Sequence, residues 1–175
     1  WPDFLRAWAM SHLAHDEAGV REDVPHLDAA VARYDGALPL VANVAVPGLV
    51  HGDYWPENVL LGDDGLVSGI ADWSGNVIAG DPRVDVAQSI MYLDMLDGFT
   101  HDDVALLLDE AGKRHGRDFP QIVEVYRLHF ALVYAADCKR YDPLTYRWCV
   151  RHLCGAGAPL RPDADGGERQ SSSRS

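Results

Sequence analysis

Two carboxylates and a carboxamide mark the middle of the chain. His51-Gly52-Asp53-x-x-x-x-Asn58 is followed by Ile70-Ala71-Asp72-Trp73, and then by Gly80-Asp81-Pro82-x-x-Asp85. Aspartate and asparagine are hard oxygen ligands of the kind Mg²⁺ prefers. That ion dehydrates reluctantly, takes few protein ligands and keeps positions open for phosphate oxygens. A carboxylate left off the metal can accept a proton from a hydroxyl. Together these groups are the minimal equipment for phosphoryl transfer, where catalysis is mostly positioning and charge stabilisation. Taken singly, Asp53 and Asp72 also read as residues that cap turns.

The elements around them must bring the three side chains together. Leu49-Val50 reads as a short buried strand that leads into His51. Val59-Leu60-Leu61 and Leu66 to Ala71 read as two more strands, joined by the turn signal Gly62-Asp63-Asp64-Gly65. A hairpin centred on that turn sets Asn58 opposite Gly69, with Asp72 just past its open end. Asp53 lies in the loop that feeds the same end. The rest is helical. Pro2, Phe4, Leu5, Trp8, Ala9 and Leu13 make an amphipathic helix that Gly19 closes, and a weaker helix covers Leu27 to Tyr34. Val86, Ala87, Ile90, Met91 and Leu93 form one stripe. Val104, Leu107, Leu108 and Ala111 form another, with Thr100 and Asp103 as its capping pair. Pro120 opens a helix through Ile122, Val125, His129, Leu132 and Val133, and Asp142-Pro143 opens a last one through Trp148 and Leu153. The expected fold class is α+β, mostly helical, with one small central hairpin. Residues 156–175, rich in Gly, Pro, Asp and Ser, are expected to form a disordered tail.

In this order and spacing the three segments resemble the aminoglycoside phosphotransferase and choline kinase family, relatives of the protein kinases. His51-Gly52-Asp53 with Asn58 is similar to the family's catalytic loop, Ile70 to Trp73 to its metal-binding segment, and Gly80 to Asp85 to the stretch that precedes a helix. The resemblance implies the carboxy-terminal lobe of a protein kinase-like fold over residues 1–155, with a catalytic loop at 51–58 and a metal loop at 72–85. It implies that Asp53 is the catalytic base, and that Asn58 and Asp72 hold Mg²⁺ on the phosphates of ATP or GTP. His51, Asp81 and Asp85 would support the site, Asp85 by accepting hydrogen bonds from the loop. The substrate would be a hydroxyl of a small molecule: an aminoglycoside, macrolide, choline-like amine, sugar or amino acid. Trp55 departs from the family pattern. It reads either as a wall of the substrate pocket or as ordinary packing. Trp73 reads as core packing under the metal loop.

The amino-terminal lobe that such kinases carry is not legible. The residues before His51 read as helices and loops without a lysine, and no Gly-rich phosphate loop of the required form occurs. The expectation is therefore a lobe whose nucleotide-clamping partner is missing or supplied by a separate chain. By itself it would be weakly active or inactive. A non-catalytic, pseudokinase-like binding module or a truncated remnant is the alternative. A metal-dependent hydrolase is disfavoured, because no histidine ligand cluster accompanies the carboxylates.

Composition narrows the partners. The 175 residues fit one domain, and 47% of them are hydrophobic. The net charge of −12 repels phosphate backbones, which argues against nucleic acid. It would attract a cationic substrate, but an acidic, soluble or salt-adapted surface accounts for it as well. Asp94, Asp97, Asp102 and Asp103 read as a solvated helix face that could also receive a polycation. Cys138, Cys149 and Cys154 read as core or half-buried thiols, since Cys149, His152 and Cys154 do not match zinc spacings. No apolar run reaches the length of a membrane span, and a cytoplasmic location is expected.

Overall fold

The computed structural model describes residues 1–155 apart from 45, 74, 76, 97 and 98, together with the backbone but not the side chain of residue 101. Two of the stretches expected above therefore fall outside the description: the tail at 156–175, and Asp97 of the acidic run. The described chain is mostly helical. It holds α1 (Pro2–Leu13), α2 (Glu17–Asp23), α3 (Leu27–Ala37), α4 (Arg83–Leu93), α5 (His101–His115), α6 (Phe119–Tyr141) and α7 (Pro143–Cys154). Four short strands interrupt the helices: β1 (Gly48–Val50), β2 (Val59–Leu61), β3 (Val67–Ile70) and β4 (Ile78–Gly80). They form two separate antiparallel pairs, β1 with β4 and β2 with β3. No larger sheet occurs among the described residues.

Helix α6 is the spine, because its sequence is apolar nearly all the way round, as a helix enclosed by others must be. Ile122, Val123, Val125, Tyr126, Phe130, Ala131, Leu132, Val133, Ala135 and Ala136 are all buried. Helices α1, α4 and α7 lie against it, with α2, α3 and α5 completing the shell. The amphipathic faces anticipated for α1 and α5 are present, and Thr100 and Asp103 make a reciprocal capping box at the start of α5. Asp142 caps α7 by accepting from the Leu144 and Thr145 amides.

Two expectations need correction. Gly19 does not close α1. It sits in the first turn of α2, where its amide donates to Asp16, the cap of that helix, and a Cβ at Gly19 would collide with the same carboxylate. The hairpin register is also shifted. Leu60, not Asn58, faces Gly69, and Val59 faces Ile70. The Gly62 amide donates to the Leu66 carbonyl, Gly65 takes the left-handed conformation at φ +76°, and a bulge falls between Leu60 and Leu61. A three-residue loop ending on a left-handed glycine moves the turn along the chain. Asn58 consequently lies across from Ala71, whose amide donates to the Asn58 carbonyl at 2.8 Å. The ribbon exposes several apolar side chains, Leu60, Leu61, Leu66 and Val67, as β1 does Leu49.

His129 lies wholly inside this helical core. Its Nδ1 meets the Tyr34 hydroxyl at 2.8 Å, its ring edges onto Trp8, and its Nε2 has no hydrogen-bond partner. Burial, helped by the nearby His12, pushes its pKa down to about 3. Between that value and the ordinary value of 6.5 the folded state binds fewer protons than the unfolded state. Stability contributed by the neutral ring is thus full above pH 6.5 and declines as acid is added. The slope attributable to His129 approaches ~1.4 kcal/mol per pH unit. Urea unfolding of the parent protein and a His129→Gln variant across this window should show the variant's curve flatter by about that amount. Parallel curves would mean the ring is already solvated.

Candidate functional site

The polar residues of the middle segment are tied to one another by the backbone of the loop that carries them. His51 is buried, and its Nδ1 accepts the Asp53 amide hydrogen. The proton must then sit on Nε2, which donates to the Ala71 carbonyl at 2.8 Å. Ala71 is held from both sides, by His51 through its carbonyl and by Asn58 through its amide. The chain then turns at Asp72, the one non-glycine among the described residues with a left-handed backbone (φ +57°). Short polar side chains tolerate that conformation best after glycine. Asp72 is exposed.

Asp53 is held differently. Its carbonyl accepts from the Asn58 Nδ2 at 2.9 Å, which leaves the Oδ1 end of that amide available to a cation. Its carboxylate Oδ1 accepts from the Tyr92 hydroxyl at 2.9 Å. Gln88, fully buried on α4, completes the support. Its Oε1 accepts the Tyr54 amide hydrogen, and its Nε2 donates to the Gly52 carbonyl and reaches the Tyr92 and Tyr134 hydroxyls. Burial, the neighbouring Tyr134 and the Asp53 charge push the Tyr92 phenol far above its ordinary value. Burial likewise pushes Tyr134 up to about 12. Tyr92 therefore stays protonated and can keep donating to Asp53.

The third segment anchors the loop from below. Asp85, in the first turn of α4, accepts from the His51 amide at 2.8 Å and from the Gly52 amide at 3.0 Å. Gly52 is itself left-handed, at φ +78°. Asp81 is 1% exposed and gathers the Arg83 guanidinium, the Arg83 amide and the Tyr126 hydroxyl. The Trp1 indole N–H reaches the same Tyr126 oxygen at 3.1 Å. A Cβ on Gly80 would run into the Trp1 ring, so a residue without one lets α1 close over this junction.

The two tryptophans divide. Trp55 is half-buried and meets, edge to face, the ring of Tyr92, whose hydroxyl holds Asp53. Trp73 is 51% exposed rather than in the core. Its indole N–H donates to the Ile70 carbonyl and its ring edges onto His51. Asp94 is not on a solvated face either. It accepts from the Trp148 indole and the Arg151 guanidinium and meets His152. Asp103 is spent on the capping box. The thiols are free, with Cys149 buried and Cys138 and Cys154 half-buried. Burial raises the pKa of all three.

The described geometry thus links a catalytic-type loop, a left-handed aspartate after a short strand and an acidic helix start into one hydrogen-bonded unit. No helix among the described residues is long and apolar enough to cross a membrane. The profile of the phosphotransferase enzyme family matches residues 2–124. No curated protein matches the chain. One solved structure is similar: a crystal structure of a thermostable mutant of the aminoglycoside phosphotransferase APH(4)-Ia, in ternary complex with ADP and hygromycin B. The likeness has a TM-score of 0.60 at 24% identity over 90% of this chain, and the chain spans 53% of that one. The chain belongs to the phosphotransferase enzyme family, and its described part has the predominantly helical fold, with a small hairpin, of a protein kinase-like carboxy-terminal lobe.

Proposed function

We propose that this lobe supplies the general base and the Mg²⁺ ligands of a small-molecule kinase. Completed by a nucleotide-clamping amino-terminal lobe, it would transfer the γ-phosphate of ATP or GTP to a hydroxyl of an aminoglycoside, macrolide, choline-like amine, sugar or amino acid. The observation that carries the reading is the pair of hydrogen bonds from Asn58 to Asp53 and from His51 to Ala71. The first closes the proton-accepting loop on itself, and the second ties that loop to the segment bearing Asp72. The ADP and hygromycin B held by the similar aminoglycoside phosphotransferase support a nucleotide and an aminoglycoside as ligands here too.

In this reading the Asp53 carboxylate accepts the proton of the substrate hydroxyl as that oxygen attacks the γ-phosphorus and the bond to the departing nucleoside diphosphate breaks, while Tyr92 keeps the carboxylate aimed. Asn58 and Asp72 offer the oxygen donors that fit Mg²⁺. When bound, the ion would neutralise charge on the phosphate oxygens. His51, Asp81 and Asp85 hold the loops in place, and Trp55 lines the substrate side.

The test is phosphate transfer from ATP and from GTP, with Mg²⁺, onto a panel of these hydroxyl compounds. It should be run on the chain alone and on the chain joined to a nucleotide-binding lobe. Turnover is expected in the joined form and negligible turnover in the chain alone. If neither form transfers phosphate or binds nucleotide in a Mg²⁺-dependent way, the phosphotransferase reading fails and a non-catalytic binding module takes its place.

A further inference from the structure

Outside the loop region, one cluster has the chemistry of a metal site. His12, in the last turn of α1, and His15, just beyond it, both turn their Nδ1 atoms to the carboxylate of Asp137 on α6. The His12 nitrogen is 2.9 Å from one Asp137 oxygen and the His15 nitrogen is 2.9 Å from the other. The potential donor atoms all lie within 4.8 Å of one another. We propose that His12, His15 and Asp137 form a binding site for Zn²⁺ or a similar divalent transition-metal ion.

Two imidazoles and a carboxylate make a three-ligand set that zinc accepts, with the fourth position left to water. Bonds of ~2.0–2.2 Å about a tetrahedral ion require the donors to move somewhat from their present hydrogen-bonded separations. Their exposure allows it: the side chains of His12, His15 and Asp137 are 34%, 58% and 46% accessible. The backbone already fixes the spacing, since the His15 amide donates to the His12 carbonyl in the turn that ends α1. Imidazole nitrogen selects against Mg²⁺ and Ca²⁺, which take oxygen ligands. The nearby Lys139 does not compete for Asp137, because its ammonium is engaged by Glu22, Asp23 and the Gly19 carbonyl. The site clips the end of α1 to α6 and is independent of the Asp53 chemistry.

Titration of the untagged chain with zinc chloride in excess Mg²⁺, followed by calorimetry and by thermal unfolding, tests this. Saturable one-to-one binding is expected, with a rise in Tm that grows with zinc concentration. His15→Ala and Asp137→Asn should each weaken binding by roughly tenfold or more, since even outer partners of a metal site are worth ~10–100-fold. Both positions are exposed, so the variants should keep the parent's circular dichroism. Imidazole signals of His12 and His15 should shift together on addition of zinc. Absence of saturable binding overturns the proposal. So does binding that survives the His15 and Asp137 changes, and so does binding lost instead in Cys154→Ser, which would place the ion on the thiols.

Discussion

Asparagine in place of Asp53 is expected to lower kcat for phosphate transfer by about 10²- to 10⁴-fold, the usual contribution of a positioned general base. That corresponds to about 3–5 kcal/mol of lost transition-state stabilisation. KM should change little. The carboxamide has the same size, and its oxygen can still accept from Tyr92, as the carboxylate does now at 2.9 Å. The Asn58 bond goes to the residue 53 carbonyl and survives the change. The variant should therefore fold as the parent does, which separates chemistry from scaffolding. The measurement is steady-state kinetics of the chain joined to a nucleotide-binding lobe, with unfolding curves as the control. Full kcat in the variant would remove Asp53 from the chemistry.

The second large effect is structural. Asp81→Ala should cost about 3–5 kcal/mol, the range seen when one member of a buried ion pair is deleted. Against a total stability of roughly 5–15 kcal/mol this is a large share, and at the lower end of that range it would leave much of the protein unfolded. The reason is the number of groups that Asp81 satisfies. The substitution leaves the Arg83 guanidinium, 19% accessible, without its carboxylate, and the Tyr126 hydroxyl without its acceptor. The Trp1 indole rests on the same tyrosine, so α1, α4 and α6 loosen together. Asp81→Asn keeps an acceptor oxygen and should cost less. Urea denaturation compares the three proteins. A loss in Asp81→Ala below about 1 kcal/mol, the scale of a surface pair, would show that the junction tolerates the vacancy.

Much of the architecture could be read because the helices declare themselves. The apolar spacing of α1, α5 and α6 and the caps at Thr100 and Asp142 are local signals, and a mostly helical domain with one hairpin follows from them. The short elements were harder. Strand β4 has three residues and exists only because Gly48 to Val50 offer it an edge far back in the chain. Helix α2 hides behind Gly19, a residue that ordinarily ends helices but here admits a capping carboxylate. In the candidate site, the motif residues carry their own spacing, whereas their supports do not. Gln88 and Tyr92 fall within an apolar stripe of α4, and their partners on the loop are more than thirty residues away. A glutamine at a buried helical position was the available clue, since such a group must find partners. The pairing of His12 and His15 with Asp137 has no local signal, because the carboxylate lies more than 120 residues further along the chain.

The ribbon of β2 and β3 has a further consequence. Among the described residues it has two strands, each with one edge unpaired, and the exposed Leu60, Leu61, Leu66 and Val67 lie along it. Chaperones and hydrophobic dyes treat such a surface as unfinished chain. How long a molecule lasts in a cell would then depend on how soon that ribbon is covered, and the amount of protein present would register the difference before any catalytic assay did.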